Sequence, residues 1–137
     1  LSEYLAAQPY SVWWERLASA TDGLPAPSPR GGHQLVVDPT AGCLWLFGGW
    51  DGQRDLGDLW RFDLASQQWT CVQESAVEQG GPSARSCHKM VLHAGSHSLL
   101  LLGRYLDGSS SSNLATTAAS NHTSTTELGD LWQLKLD

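Results

Sequence analysis

His88, His93 and His97 stand together in HKMVLHAGSH, residues 88–97, and are the residues of this chain that most suggest chemistry. Neutral imidazole is a common metal ligand, so spacing has to decide. On an extended strand, odd separations put side chains on opposite faces, and His88 and His93 therefore diverge. His93 and His97 flank a hairpin and can converge, but no neighbouring residue in sequence is a cysteine or carboxylate that would complete a ligand set. Cys43, Cys71 and Cys87 follow no metal or redox spacing. On strand positions an odd number of cysteines reads as reduced core thiols of an intracellular protein. The pair Gly48–Gly49 lacks the G-x-x-x-x-G-K-[ST] pattern, and no helical pattern follows it. It reads instead as a place of close backbone approach or positive φ, where a strand leaves its sheet. There is no G-x-S-x-G, and the acidic positions of DLGDL form no carboxylate pair at a defined distance. The chain thus presents no catalytic set, metal site or cofactor site.

The elements that position these residues come from an internal repeat. A shift of 55 residues lays Trp14 on Trp69, PSPRGGHQLVV (27–37) on PSARSCHKMVL (82–92), and LWLFGGW (44–50) on LLLLGRY (99–105). Arg30 then meets Arg85, His33 meets His88, and Gly48 meets Gly103. The offset grows to 72 where DLGDLWRFDLA (55–65) meets ELGDLWQLKLD (127–137), so that Trp60 meets Trp132. Each unit reads as four strands: GHQLVVD and CHKMVLH, then CLWLFGG and HSLLLLG, then DLWRFDL and DLWQLKL, with VWWERLA and QWTCVQ as fourth strands. The second strands are almost wholly apolar, which predicts burial on both faces. One such unit cannot bury its own faces, and a period of roughly 50 residues points to stacked propeller blades. The expected organisation is a linker or the end of a preceding element over 1–10, the last strand of a preceding blade over 11–17, a complete blade over 30–73, and an incomplete blade over 85–137 with a flexible Ser/Thr-rich insert at 106–126. Trp69 follows Trp60 by nine, so the same step predicts a tryptophan near position 141 and implies that the chain is a piece of a longer one.

Composition narrows the functional classes. Of the 137 residues 41% are hydrophobic and 16% charged, and apolar runs such as Leu99–Leu102 are far too short to span a bilayer. The net charge of −6 argues against nucleic acid and anionic membrane as partners. Asn121-His122-Thr123 is a formal glycosylation acceptor, silent in a reducing compartment.

The phrases PxPRGGH, LFGG and DLWxFD, with a tryptophan on the fourth strand, resemble kelch repeats. That resemblance implies an all-β fold, a β-propeller of four-stranded antiparallel blades. RGGHQLVVD, LFGGWDG, QWTC, GPSARSCHKM and LGRYLD are more similar to the muskelin branch of that family. This implies a non-enzymatic scaffold or substrate adaptor in a CTLH-type ubiquitin ligase, cytoplasmic and also nuclear, with a link to cell spreading and the cytoskeleton. Two departures stand out: Gly48–Gly49 becomes Gly103–Arg104, and Phe62 becomes Leu134. A generic kelch adaptor is the alternative. A kelch-like copper radical oxidase is disfavoured, because Tyr4, Tyr10 and Tyr105 stand in no copper-ligand motif.

Loop lengths suggest which face works. Turns joining first to second and third to fourth strands are short. Segments 18–29, 50–55, 73–84 and 105–127 share the other edge and are longer. Long loops on a rigid scaffold are where binding concentrates. Trp50 and Tyr105 take equivalent loop positions there, and exposed aromatics are common interface anchors. The expected protein-contact residues are Trp50, Asp51, Arg54, Arg104 and Tyr105, serving other subunits of a multi-protein complex. Arg30, His33, Gly48, Gly49, Trp60, Trp69, Arg85, His88, Gly103 and Trp132 are expected to be structural repeat positions, with Arg30 and Arg85 paired to a carboxylate such as Asp58 or Asp130, or to loop carbonyls.

Overall fold

Seven short strands form two antiparallel meanders in the computed structural model, which describes residues 11–19, 22–105 and 129–137. The first sheet is β1 (Gln34–Asp38), β2 (Cys43–Trp50), β3 (Asp55–Asp63) and β4 (Gln68–Gln73), in that order across the sheet. The second is β5 (Lys89–His93), β6 (Ser98–Leu102) and β7 (Leu131–Lys135). Each of the seven strands overlaps a segment read as a strand from alternation and turn residues, with β3 beginning three residues before DLWRFDL. Two 3-10 turns, Val77–Gln79 and Ala94–Ser96, lie in the connections between strands.

The second strand has the continuous burial its apolar run predicts, with Phe47 and Leu46 buried on opposite faces. One face of the first sheet carries Cys43, Trp45, Phe47 and Leu59, and these pack against Met90, Leu99, Leu101 and Leu136 of the second unit. Val36, Leu92, Trp132 and Leu134 extend that seam. Burying each such side chain is worth roughly 1.5–3 kcal/mol, so the seam holds the two sheets together. The opposite face of the first sheet is closed at its outer side by Trp69, which packs on Phe62 at 4.9 Å and edge-on to Trp60 at 6.5 Å. At its inner side Leu35 and Val37 remain about half exposed, although Met90, the repeat counterpart of Leu35, is buried. A face of this kind is built to be covered by another sheet.

The segment 11–17 lies outside both sheets with Trp13 and Trp14 exposed, and the preceding blade it is expected to complete is not among the described residues. One expectation needs correction. The connection between β2 and β3 is only residues 51–54, as short as the turns 39–42 and 64–67 on the other edge. The asymmetry of the two edges is carried by 74–88 and 103–130. The expected linker at 1–10, the flexible insert at 106–126 and the Asn121 acceptor lie outside the described residues.

Candidate functional site

The site is the edge where β2, β4 and β6 end, and its geometry begins with the glycine pair. Gly48 has φ +64°, and a Cβ placed there would lie 2.5 Å from the Arg85 carbonyl oxygen. At Gly49, φ +113°, a Cβ would meet the Gly31 carbonyl at 2.9 Å. A register shift between Phe47 and Gly49 turns β2 outward here. The segment that opens the second unit lies directly on this bulge. The Gly49 amide donates to the Arg85 carbonyl at 2.9 Å, the Arg85 amide to the Leu56 carbonyl at 2.9 Å, and the Cys87 amide to the Gly32 carbonyl at 2.7 Å. The two units are therefore sewn together by backbone hydrogen bonds that only a residue without a side chain permits.

Arg30 holds the same edge within the first unit. Its guanidinium forks onto both oxygens of Asp58, the second at 2.9 Å, and also donates to the carbonyls of Gly48 at 3.1 Å and Ser28 at 3.0 Å. The Trp60 indole donates to Asp58 Oδ2 at 2.6 Å. Burial pushes the Asp58 carboxyl up, but Arg30 and Trp60 more than offset it and leave it below its ordinary value. Arg85 repeats the pattern, donating to the Gly103 carbonyl at 3.2 Å and the Ser83 carbonyl at 3.0 Å. Both arginines are thus spent on the scaffold. His88 is fully buried with its ring edge-on to Phe47 at 5.4 Å. Packing on Phe47 holds the ring. Burial, with the positive charge of Arg85 second, lowers its pKa to about 4.

Above this scaffold runs an open groove of about 630 Å³, lined by Gly31, Gly32, Trp50, Asp55, Ser86, Cys87, Arg104 and Tyr105. Trp50 is 46% exposed and Tyr105 61% exposed. Each aromatic is fixed by an equivalent backbone bond: Trp50 and Gly31 exchange both of theirs, and the Tyr105 amide donates to the Ser86 carbonyl at 2.7 Å. Arg104 crosses from the second unit to Asp55 of the first, 3.4 Å from its Oδ2. No group of three or more metal-ligating side chains occurs among the described residues.

This chemistry can hold blades together and present aromatic side chains. The model of the KLHDC2/KLHL20/DRC7 Kelch-repeats domain matches residues 7–137. The chain belongs to the kelch-repeat family. Similar proteins include Mei4-dependent protein 6 of Schizosaccharomyces pombe, 37% identical over 94 residues covering 69% of this chain and 12% of that protein. Multiple epidermal growth factor-like domains protein 8 of Homo sapiens is 37% identical over 101 residues, covering 70% of the chain and 3% of that protein. Its counterpart in Mus musculus is 36% identical over the same number of residues and is covered to 4%. The chain spans a small part of these relatives, and none of them is a muskelin. What the matches show is the broader kelch family, whose repeats serve generally in protein interaction rather than catalysis. Among the described residues no helix is long and apolar enough to cross a membrane.

Of the expected contact residues, Trp50, Arg104 and Tyr105 line this groove together. Asp51 and Arg54 lie on the adjoining turn, where Asp51 Oδ1 accepts from the Gln53 and Arg54 amides at 2.8 and 2.9 Å. Three groups were not foreseen. Asp55 enters the groove because the blade seam brings Arg104 to it. Cys87, expected in the core, is exposed, because it sits at φ +55° in the turn before β5, where the first blade has Gly32. On the opposite edge His97 Nε2 meets the buried Asp38 Oδ2 at 2.8 Å, so a carboxylate does stand beside the His93–His97 hairpin. That carboxylate belongs to the neighbouring blade. His93 itself bonds Ser96 Oγ at 2.7 Å.

Proposed function

We propose that this chain is part of a non-enzymatic propeller scaffold that holds other proteins at the rim formed by its long connections, as one subunit of a multi-protein assembly. The observation that carries the reading is the pairing of Trp50 and Tyr105. They come from equivalent positions of two blades, both are exposed, and both line one groove although their backbones are firmly held. Rigid exposed aromatics contribute contact area at low entropic cost, which suits an interface anchor. Of the groove side chains, Asp55 is paired with Arg104.

Quantitative co-purification with the complete protein tests this. A Trp50→Ala/Tyr105→Ala double variant should lose specific partners, while Thr40→Ala on the opposite edge should keep them. Retention of every partner by the double variant, at unchanged melting temperature, would place the interface elsewhere. A narrower form of the reading is a substrate adaptor of a CTLH-type ubiquitin ligase. Its support is the likeness of RGGHQLVVD and LGRYLD to the muskelin branch. Co-purification of ligase subunits tests it separately, and their absence removes only the narrower form.

A further inference from the structure

We propose that the groove between Trp50 and Tyr105 receives a cationic side chain, an arginine guanidinium or a lysine ammonium, from an extended segment of the partner protein. The inference rests on the rim reading and adds the chemistry of what the rim takes. It begins with Asp55. A carboxylate has about four lone-pair sites. Asp55 uses one, in a single contact of 3.4 Å from Arg104 to Oδ2, while Oδ1 is enclosed and has no hydrogen-bond partner. About a quarter of its side chain is exposed, and Asp55 lines the groove. The carboxylate is thus balanced by one long contact, and a cation entering the groove would meet its negative charge.

The walls fit the same ligand. A cation within roughly 6 Å of an indole or phenol face is attracted by the ring quadrupole. Trp50 and Tyr105 supply two such rings beside one carboxylate. An aliphatic ligand would gain from the rings but leave Asp55 underused. An incoming carboxylate would set a second negative charge beside Asp55 and compete for Arg104, which is already committed and 16% exposed. The floor is also open to an extended backbone: Gly31 and Gly32 put no side chain into the groove. The net charge of −6 favours the approach of a basic segment.

The test uses the complete protein labelled with 5-fluorotryptophan, the Trp50 resonance being assigned by its loss in Trp50→Phe. The probes are the N-acetyl methylamides of arginine, lysine, citrulline and glutamate. The arginine and lysine probes should shift the Trp50 resonance saturably, with weaker binding at higher salt. Citrulline, the neutral isostere of arginine, and glutamate should not. Asp55→Asn and Tyr105→Ala should each weaken the arginine probe by about fivefold or more without moving the other tryptophan resonances. Should Asp55→Asn lose its dispersed spectrum, Tyr105→Ala decides, because Tyr105 is exposed and its truncation leaves the blade core intact. No Trp50 shift, an equal response to citrulline, preferential binding of glutamate, or indifference to both substitutions would overturn the proposal. Partner loss in the Trp50→Ala/Tyr105→Ala variant combined with no charge preference here would leave the rim reading standing and remove this one alone.

Discussion

Gly48 and Gly103 occupy the same repeat position, and the structure predicts that they tolerate alanine very differently. Both have positive φ, +64° and +81°. Placing any L-residue there costs roughly 1–2 kcal/mol from the backbone conformation alone. At Gly103 nothing among the described residues lies within 4 Å of where the alanine methyl would sit, so the conformational cost is the one the structure assigns. At Gly48 the methyl would sit 2.5 Å from the Arg85 carbonyl oxygen, 3.1 Å from His88 Cε1 and 3.2 Å from the Leu56 carbonyl oxygen. Two of these are backbone atoms in the hydrogen bonds that join the units, through the Gly49 and Arg85 amides. Relieving the clash must stretch or break them, at about 1 kcal/mol for each bond lost and more for the buried groups left unpaired. Gly48→Ala should therefore cost about 3–5 kcal/mol, and Gly103→Ala about 1–2 kcal/mol. Urea unfolding of the complete protein, followed by tryptophan emission, measures both. Equal destabilisation of the two variants would refute the argument that the seam between the blades, rather than φ alone, requires Gly48.

Asp58→Ala should destabilise by about 3–5 kcal/mol, since it strands the Arg30 guanidinium, only 4% exposed, without its carboxylate; chemical denaturation measures this, and a cost below about 1 kcal/mol would contradict the fork seen here. Because His88 titrates near 4 when folded, against about 6.5 when unfolded, the unfolded state takes up the proton first as pH falls. Stability should therefore be full above pH about 6.5 and decline toward pH 4, by on the order of 3 kcal/mol at most, and His88→Phe should flatten that slope in denaturation curves taken across the range. The lowered Asp58 carboxyl acts in a separate window: its contribution is present above the unfolded value of about 3.9 and is lost as pH falls through the folded one, so Asp58→Asn should alter only the acid limb of the same curves. The 137 residues expressed alone should self-associate or bind a hydrophobic dye, because Leu35, Val37 and Leu131 leave apolar sheet faces open; a monodisperse monomer with a sharp cooperative melt would count against the stacked-blade reading.

Much of this architecture is legible in the residues themselves. Period-two alternation in DLWRFDL, the continuous apolar run of CLWLFGG and the turn residues of DPTAG and DLASQ are local signals, and each marks a strand or its end wherever the chain goes next. Repetition extends them: Arg30 with Arg85, Trp60 with Trp132 and Gly48 with Gly103 mark positions whose environment recurs, and the structure gives the two arginines nearly the same carbonyl partners. The Arg30–Asp58 fork was among the pairings that charge and position offered. What only the tertiary structure decided are contacts that differ from one blade to the next or that cross between blades. Arg104 on Asp55, His97 on Asp38 and the exposure of Cys87 all depend on how one sheet is stacked on the other. A repeat predicts what its copies share. These pairs arise where the copies differ, Arg104 standing in the place of Gly49, His97 of Gly42 and Cys87 of Gly32, and the partners lie in the neighbouring blade at distances along the chain that no periodicity encodes.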